Sequence, residues 1–277
     1  MATPEELYVD GIKKRFRNYF AAWLPDEKLK LGDVGILNGN IFIRTSNILD
    51  SSLGFQFIER EDLDPSPIDV VSESGVSMVV KAAGEVSRFM PNIPAADAGV
   101  AIEFASQGAF ILKSPAVYQP SIENIEKLKA DVLDAYLHSR WDKNWAVVVR
   151  LVKAPKATVI VSKSSRSKIE FTAQGDFTTG PIDLGNLNLS FAMRAQSGDL
   201  FQMIGATNLT PLFQLARLKK PFLRDPKVEI LRKGQKKSSP IDLVTPENAL
   251  TNPALDFNLI TDADPEYLPG SRLYIED

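Results

Sequence analysis

Cysteine is absent from the 277 residues. No disulfide can form, and no thiolate can serve as nucleophile or metal ligand. Such a composition fits a reducing, cytoplasmic compartment. Histidine occurs once, at His138, so any catalytic triad or histidine-based metal site would have to use it. A structural or capping role beside Arg140 and Trp141 is the simpler assignment. No stretch approaches the roughly 18 apolar residues that a spanning helix needs, and no basic-then-apolar leader is read at the N-terminus. A membrane role would require a surface helix, or strands closed into an oligomeric barrel. Zinc-ligand spacing, a Gly-rich phosphate loop and a nucleophile elbow are missing. Ser165–Lys168 matches Ser-x-x-Lys, but in a polar turn where that chemistry needs a helix. Carboxylates are scattered, with no pair spaced for acid–base work. The net charge of −3 gives no overall attraction to nucleic acid. The expectation is a protein that is not an enzyme, with no cofactor, no metal site and no nucleic-acid partner.

What is present is ordinary for a globular chain, at 44% hydrophobic and 24% charged residues. Thr3-Pro4-Glu5-Glu6 predicts a helix start with a capping box. Tyr8, Ile12, Phe16, Tyr19, Phe20 and Trp23 would line one face of that helix. Lys13, Lys14, Arg15 and Arg17 would crowd the other, either as a solvated surface or as a face that meets anionic lipid. Ile36–Ile43 predicts a hairpin with an Asn-Gly turn. Phe55–Arg60 reads as a strand and Glu61–Ser74 as a loop. Val76–Val86 and Val100–Leu112 alternate apolar and polar positions, around a Pro- and Ala-rich segment, Phe89–Asp97. Ser121 can cap a central helix in which Ile122, Ile125, Leu128, Val132, Tyr136 and Leu137 share a face. Trp145–Leu151 then reads as a strand of the sheet interior. Thr158–Ser162, Ile169–Ala173, Leu187–Met193 and Leu200–Ile204 follow as strands, and Leu209–Leu218 as a strand or short helix. The fold class is α+β: a twisted, mostly antiparallel sheet with an N-terminal amphipathic helix and a central helix packed on it.

Composition shifts after that point. Arg217 to Lys237 is a basic block. From Ser239 the tail is acidic and Pro-rich, yet it keeps Leu255, Phe257, Leu259 and Tyr274, so it is expected to fold back and dock. Lys233–Pro240 is the best linker. The domain reading is 1–232 for the main body, and 233–277 for linker and tail.

The order of elements resembles the pore-forming N-terminal domain of gasdermins. The similarity spans roughly residues 3–220: a basic helix, a short hairpin, a loop ending in Ser72-Glu73-Ser74-Gly75, then strand pairs Val76–Val86 and Gly99–Lys113. Pro120-Ser121-Ile122-Glu123-Asn124-Ile125-Glu126-Lys127 is similar to a stretch at the matching place in the animal proteins. Asn144–Ala154 is similar to the long strand that follows, and the length is that of the compact bacterial and fungal members. Bacterial members typically carry a lipidated cysteine near the N-terminus, which this chain lacks. The resemblance implies an inhibitory acidic tail and an activating protease that cuts the linker, with Lys233, Lys236, Lys237 and Ser238 as candidates. It implies contact with anionic lipid at the inner face of the cell membrane through Lys13, Lys14, Arg15 and Arg17, with Phe16, Phe20 and Trp23. It also implies that Val76–Lys113 and Thr158–Met193 straighten into β-hairpins of a homo-oligomeric barrel. The outcome would be lysis, in bacteria as anti-phage defence. Lys81, Glu85, Arg88 and Glu103 must then face the lumen or lie outside the hydrocarbon, because a lipid-facing lysine or arginine costs about 2–4 kcal/mol at the midplane. The alternative reading is a soluble β-rich module that binds a protein or lipid as a subunit or adaptor.

Overall fold

The capping box forms in the computed structural model, which describes residues 2–50, 53–72, 75–174, 184, 190–219 and 256–259. The Glu6 N–H donates to Thr3 Oγ1 at 3.2 Å, and the Thr3 N–H donates to Glu6 Oε2 at 2.8 Å. Helix α1 runs Pro4–Arg15 with Phe16 as its C-cap. It stops two turns short of the helix read through Trp23. Phe20–Ala21 is instead strand β1, paired with Phe213 and Leu212. The apolar positions of 16–23 fit either period, and the open edge beside Phe213 decides for the strand.

Strands β2 (Asp33–Asn38) and β3 (Ile41–Asn47) form the expected hairpin. Its two-residue loop is Gly39–Asn40 rather than Asn38–Gly39. Asn38 pairs with Ile41, and Gly39 takes φ 59°, as the first loop position of a type II′ turn requires. Asp33 fixes the base of the hairpin. Its fully buried carboxylate accepts from Arg44 Nε at 2.9 Å, Asn47 Nδ2 at 2.9 Å and the Lys30 N–H at 2.7 Å.

The expected strand Phe55–Arg60 shrinks to β4 (Glu59–Arg60), and the expected loop contains β5 (Ser66–Val71). Pro67 is tolerated because β5 pairs, among the described residues, with β8 (Phe110–Val117) alone, with the register slipping between Ser66 and Ile68. Strands β6 (Val76–Lys81) and β7 (Gly99–Phe104) pair as expected. Ser121–Ile122 is a short strand, β9, rather than a cap. Helix α2 spans Ile125–Leu137 with Asn124 at its N-cap.

The expected strands 145–151 and 158–162 are one strand of 17 residues, β10 (Ala146–Ser162). Likewise 200–204 and 209–218 are one strand of 20, β13 (Leu200–Lys219). Both far exceed the usual 5–6 residues or so. They pair antiparallel from Ala146↔Arg217 to Ser162↔Leu200, with register shifts at three places. Bulges of this kind let Pro155 and Pro211 sit inside strands without ending them. Between the two lie β11 (Ser167–Gln174) and β12 (Ser190–Ser197). Strand β14 (Asp256–Leu259) pairs with the far end of β13.

Among the described residues two sheets result: ten strands centred on β10 and β13, and four strands in the order β12–β11–β7–β6. Phe110, Leu112, Val159 and Val161 pack with Tyr8, Val9 and Ile12 of α1. Between them along the strands, Ile111 and Ile160 oppose each other and point the other way, into a core shared with the four-stranded sheet. Helix α1 and the small sheet therefore cover opposite faces of the large one. Leu128, Val132 and Ala135 of α2 pack with Val147–Val149 and Trp141 in a further cluster. The structure is the α+β arrangement read from the sequence.

Candidate functional site

The basic end of α1 splits into two populations. Lys14, Arg15 and Arg17 are exposed, at a helix C-terminus whose dipole favours cations. Lys13 is not on that side: it is 5% exposed, and its ammonium lies 3.9 Å from the centre of the Phe20 ring. Phe20 is fully buried and stacked on Phe213. Phe16 and Trp23 are half-buried. Phe16 packs edge-on to Tyr19, and Trp23 against Phe201 and Tyr8. Burial also pushes the Tyr8 phenol above its ordinary range. Of the seven residues read as lipid-facing, three present free charge and four are built into the body.

The four-stranded sheet gathers strands from both regions expected to form hairpins. Directly opposed residues share a face, and faces alternate along each strand. One face holds Val76, Met78, Val100, Ile102, Phe104, Ile169 and Phe171, all packed in the core with Ile111 and Ile160. The other carries every charged side chain of the four strands: Lys81, Glu103, Lys168, Glu170 and Arg194. Arg194 reaches that face at the register slip near Glu170, donating from Nε to Thr172 Oγ1 at 3.0 Å. Lys168 Nζ bridges Glu170 at 3.1 Å and Glu103 at 3.6 Å. The Arg194 guanidinium stands 3.8 Å from Asp97. The sheet is thus two-faced with no exception among its ionised groups. Lys81 and Glu103 fall on the polar face, while Glu85 and Arg88 lie beyond the strands, in exposed backbone. Sequence reading put Lys168 in a polar turn and singled out neither Glu170 nor Arg194, although the alternation Lys168-Ile169-Glu170-Phe171-Thr172 carries the signal.

The tail strand β14 pairs with β13, Ala216↔Leu259 to Lys219↔Asp256, and comes alongside α2. Lys233, Lys236, Lys237 and Ser238, with the domain boundary at 232–233, lie outside the described residues. His138 is the C-cap of α2. Its Nδ1 sits 2.8 Å from the Asp134 carbonyl oxygen and 3.3 Å from that residue's carboxylate, an exposed capping arrangement. A cleft of about 490 Å³ includes Lys28, Lys30, Lys153, Glu59, Glu61 and Asp62 in its lining, with the charges in balance. Among the described residues no acidic or histidine cluster could hold a metal, and no helix is long and apolar enough to cross a membrane, which leaves strands untouched by that criterion.

No protein-family model and no curated relative matches the sequence. Several solved structures are similar, two of them as follows. One is a cryo-EM structure of the gasdermin A3 membrane pore, 11% identical, with 80% of this chain and 92% of that chain covered at a TM-score of 0.35. The other is a bacterial gasdermin from Bradyrhizobium tropiciagri, 12% identical, with 79% and 90% covered at a TM-score of 0.32.

Proposed function

We propose that this protein is a gasdermin-like pore former, held inactive by its acidic C-terminal segment and released by proteolysis in 233–239. The observation that carries the reading is the separation of faces in the four-stranded sheet. A transmembrane β-barrel needs strands with an apolar lipid side and a polar lumen side. Strands β6, β7, β11 and β12 have that division with all five charges on one side. The same two regions already lie together in one antiparallel sheet whose outer strands, among the described residues, are β6 and β12. Closing such edges between copies removes unpaired backbone groups from lipid. Strand β14 supports release of the tail: among the described residues it pairs with β13 alone, so its departure would open no ladder between the described interior strands. The exposed Lys14, Arg15 and Arg17 supply attraction to anionic lipid, and permeabilisation of the cell's own membrane would kill the cell.

The test is dye release from liposomes containing anionic lipid, with protein clipped in 233–239 compared with intact protein. Clipped protein should assemble and release dye; intact protein should not. Clipped protein that stays monomeric beside tight liposomes overturns the proposal.

A further inference from the structure

The polar face of the small sheet is not open to water along its whole length. Between β6 and β7 the chain crosses it as a strap, residues 87–97. Met90 and Ile93 are buried against Ala101 and Val79. Gly99 makes room for this: a Cβ there would stand 2.4 Å from Ile93 Cδ1. The strap has few other apolar anchors, and polar fasteners do the rest. Lys81, 1% exposed, turns its ammonium into the strap and donates to the carbonyls of Pro94 at 2.9 Å, Ala95 at 3.4 Å and Asp97. Three donors meet three carbonyls, and among the described residues no carboxylate comes within ion-pair distance of Lys81. At the outer edge Lys168 Nζ donates to the Phe89 carbonyl at 2.5 Å, and Asn92 Nδ2 donates to Glu170 Oε2 at 3.2 Å.

We propose that segment 87–97 is a gate over the polar face, latched by Lys81, and that it opens in a step separate from loss of the C-terminal tail. The inference rests on the pore reading, which needs this face to meet water. An ammonium held by carbonyl dipoles alone has given up its hydration without gaining a counter-ion. Opening the gate returns Lys81 to water on the side of the sheet that also carries Glu103, Lys168 and Glu170. The latch thus holds the closed form by hydrogen-bond count, while the buried charge favours the open one.

Hydrogen exchange on the full-length chain tests the latch, and leakage from anionic liposomes after linker cleavage tests the gate. Lys81→Met keeps the stem and removes the donors. Amides of 90–97, such as Ile93 and Asp97, which donate to Met90 and Pro94 carbonyls, should exchange faster by about tenfold or more while β10 and β13 keep their protection. The clipped variant should release dye faster than the clipped parent. Unchanged exchange in 90–97 overturns the latch, whatever the liposomes do. Faster exchange without faster release overturns the gate. If neither clipped protein releases dye, the pore reading falls and the gate with it, while exchange still reports on the latch. Should Lys81→Met lose protection everywhere, Lys168→Met, which frees the Phe89 carbonyl from a partly exposed lysine, decides by the same two measurements.

Discussion

Single side chains divide here between those that hold the body and those left free to act. Asp33 belongs to the first group. Removing its buried carboxylate strands the Asn47 amide and the Lys30 N–H, whereas half-exposed Arg44 can turn to water. Asp33→Ala should therefore lower stability by about 2–3 kcal/mol in urea titration, below the figure for a fully buried pair. Glu27, next to this cluster, has its carboxyl raised above the ordinary range, first by burial and then by Asp33 and Asp26, with Arg44 opposing. A carboxyl raised on folding takes no toll while protonated in both states. It loses stability as pH climbs through the interval between its unfolded and folded values. Glu27→Gln should accordingly melt higher than the parent near neutral pH, with the advantage fading below about pH 4. Lys13 was legible as a cation on a helix but not as a buried one. Its seat over the Phe20 ring exists only because Phe20 lies outside helix α1, in strand β1, paired with Phe213 far along the chain.

Elements carry the functional contrast. Lys14, Arg15 and Arg17 are exposed, so replacing all three with Glu should abolish leakage by clipped protein while each change shifts stability by about 1 kcal/mol or less. Unchanged leakage with a normal melt would remove α1 from membrane attraction. Lys13 is best left intact in that experiment, because a carboxylate over the Phe20 ring would perturb the fold itself. Much at this scale was readable: the capping box, the β2–β3 hairpin, the alternation of β6 and β7, and the apolar run that opens β10. Chain breakers obscured the rest. Pro155 falls in the gap that split β10 on paper, and Gly205 and Asn208, both at positive φ, fall in the gap that split β13, because a register slip leaves no mark in composition. Pro67 disguised β5 in the same way. The strap was unreadable because its order depends on Met90, Ile93 and the far end of Lys81 rather than on any period of its own.

The whole molecule depends on β10 more than on any other element. Ala146–Leu151 feed the cluster under α2, Val152–Val161 the cluster under α1, and Ile160 the core of the small sheet. The charged side chains of that small sheet, all turned one way, could be assembled only once register was known. Sequence alternation within each strand was visible, but nothing in it said that β7 sits beside β11. One uninterrupted backbone thus runs through three apolar clusters that a shorter-stranded fold would keep in separate modules. Loosening any of them pulls on the same ladder with β13. Calorimetry on the intact chain should therefore record a single heat-absorption peak, with the calorimetric and van't Hoff enthalpies in agreement. Two resolved peaks would mean that the seventeen-residue strand does not synchronise the melting of the parts it threads.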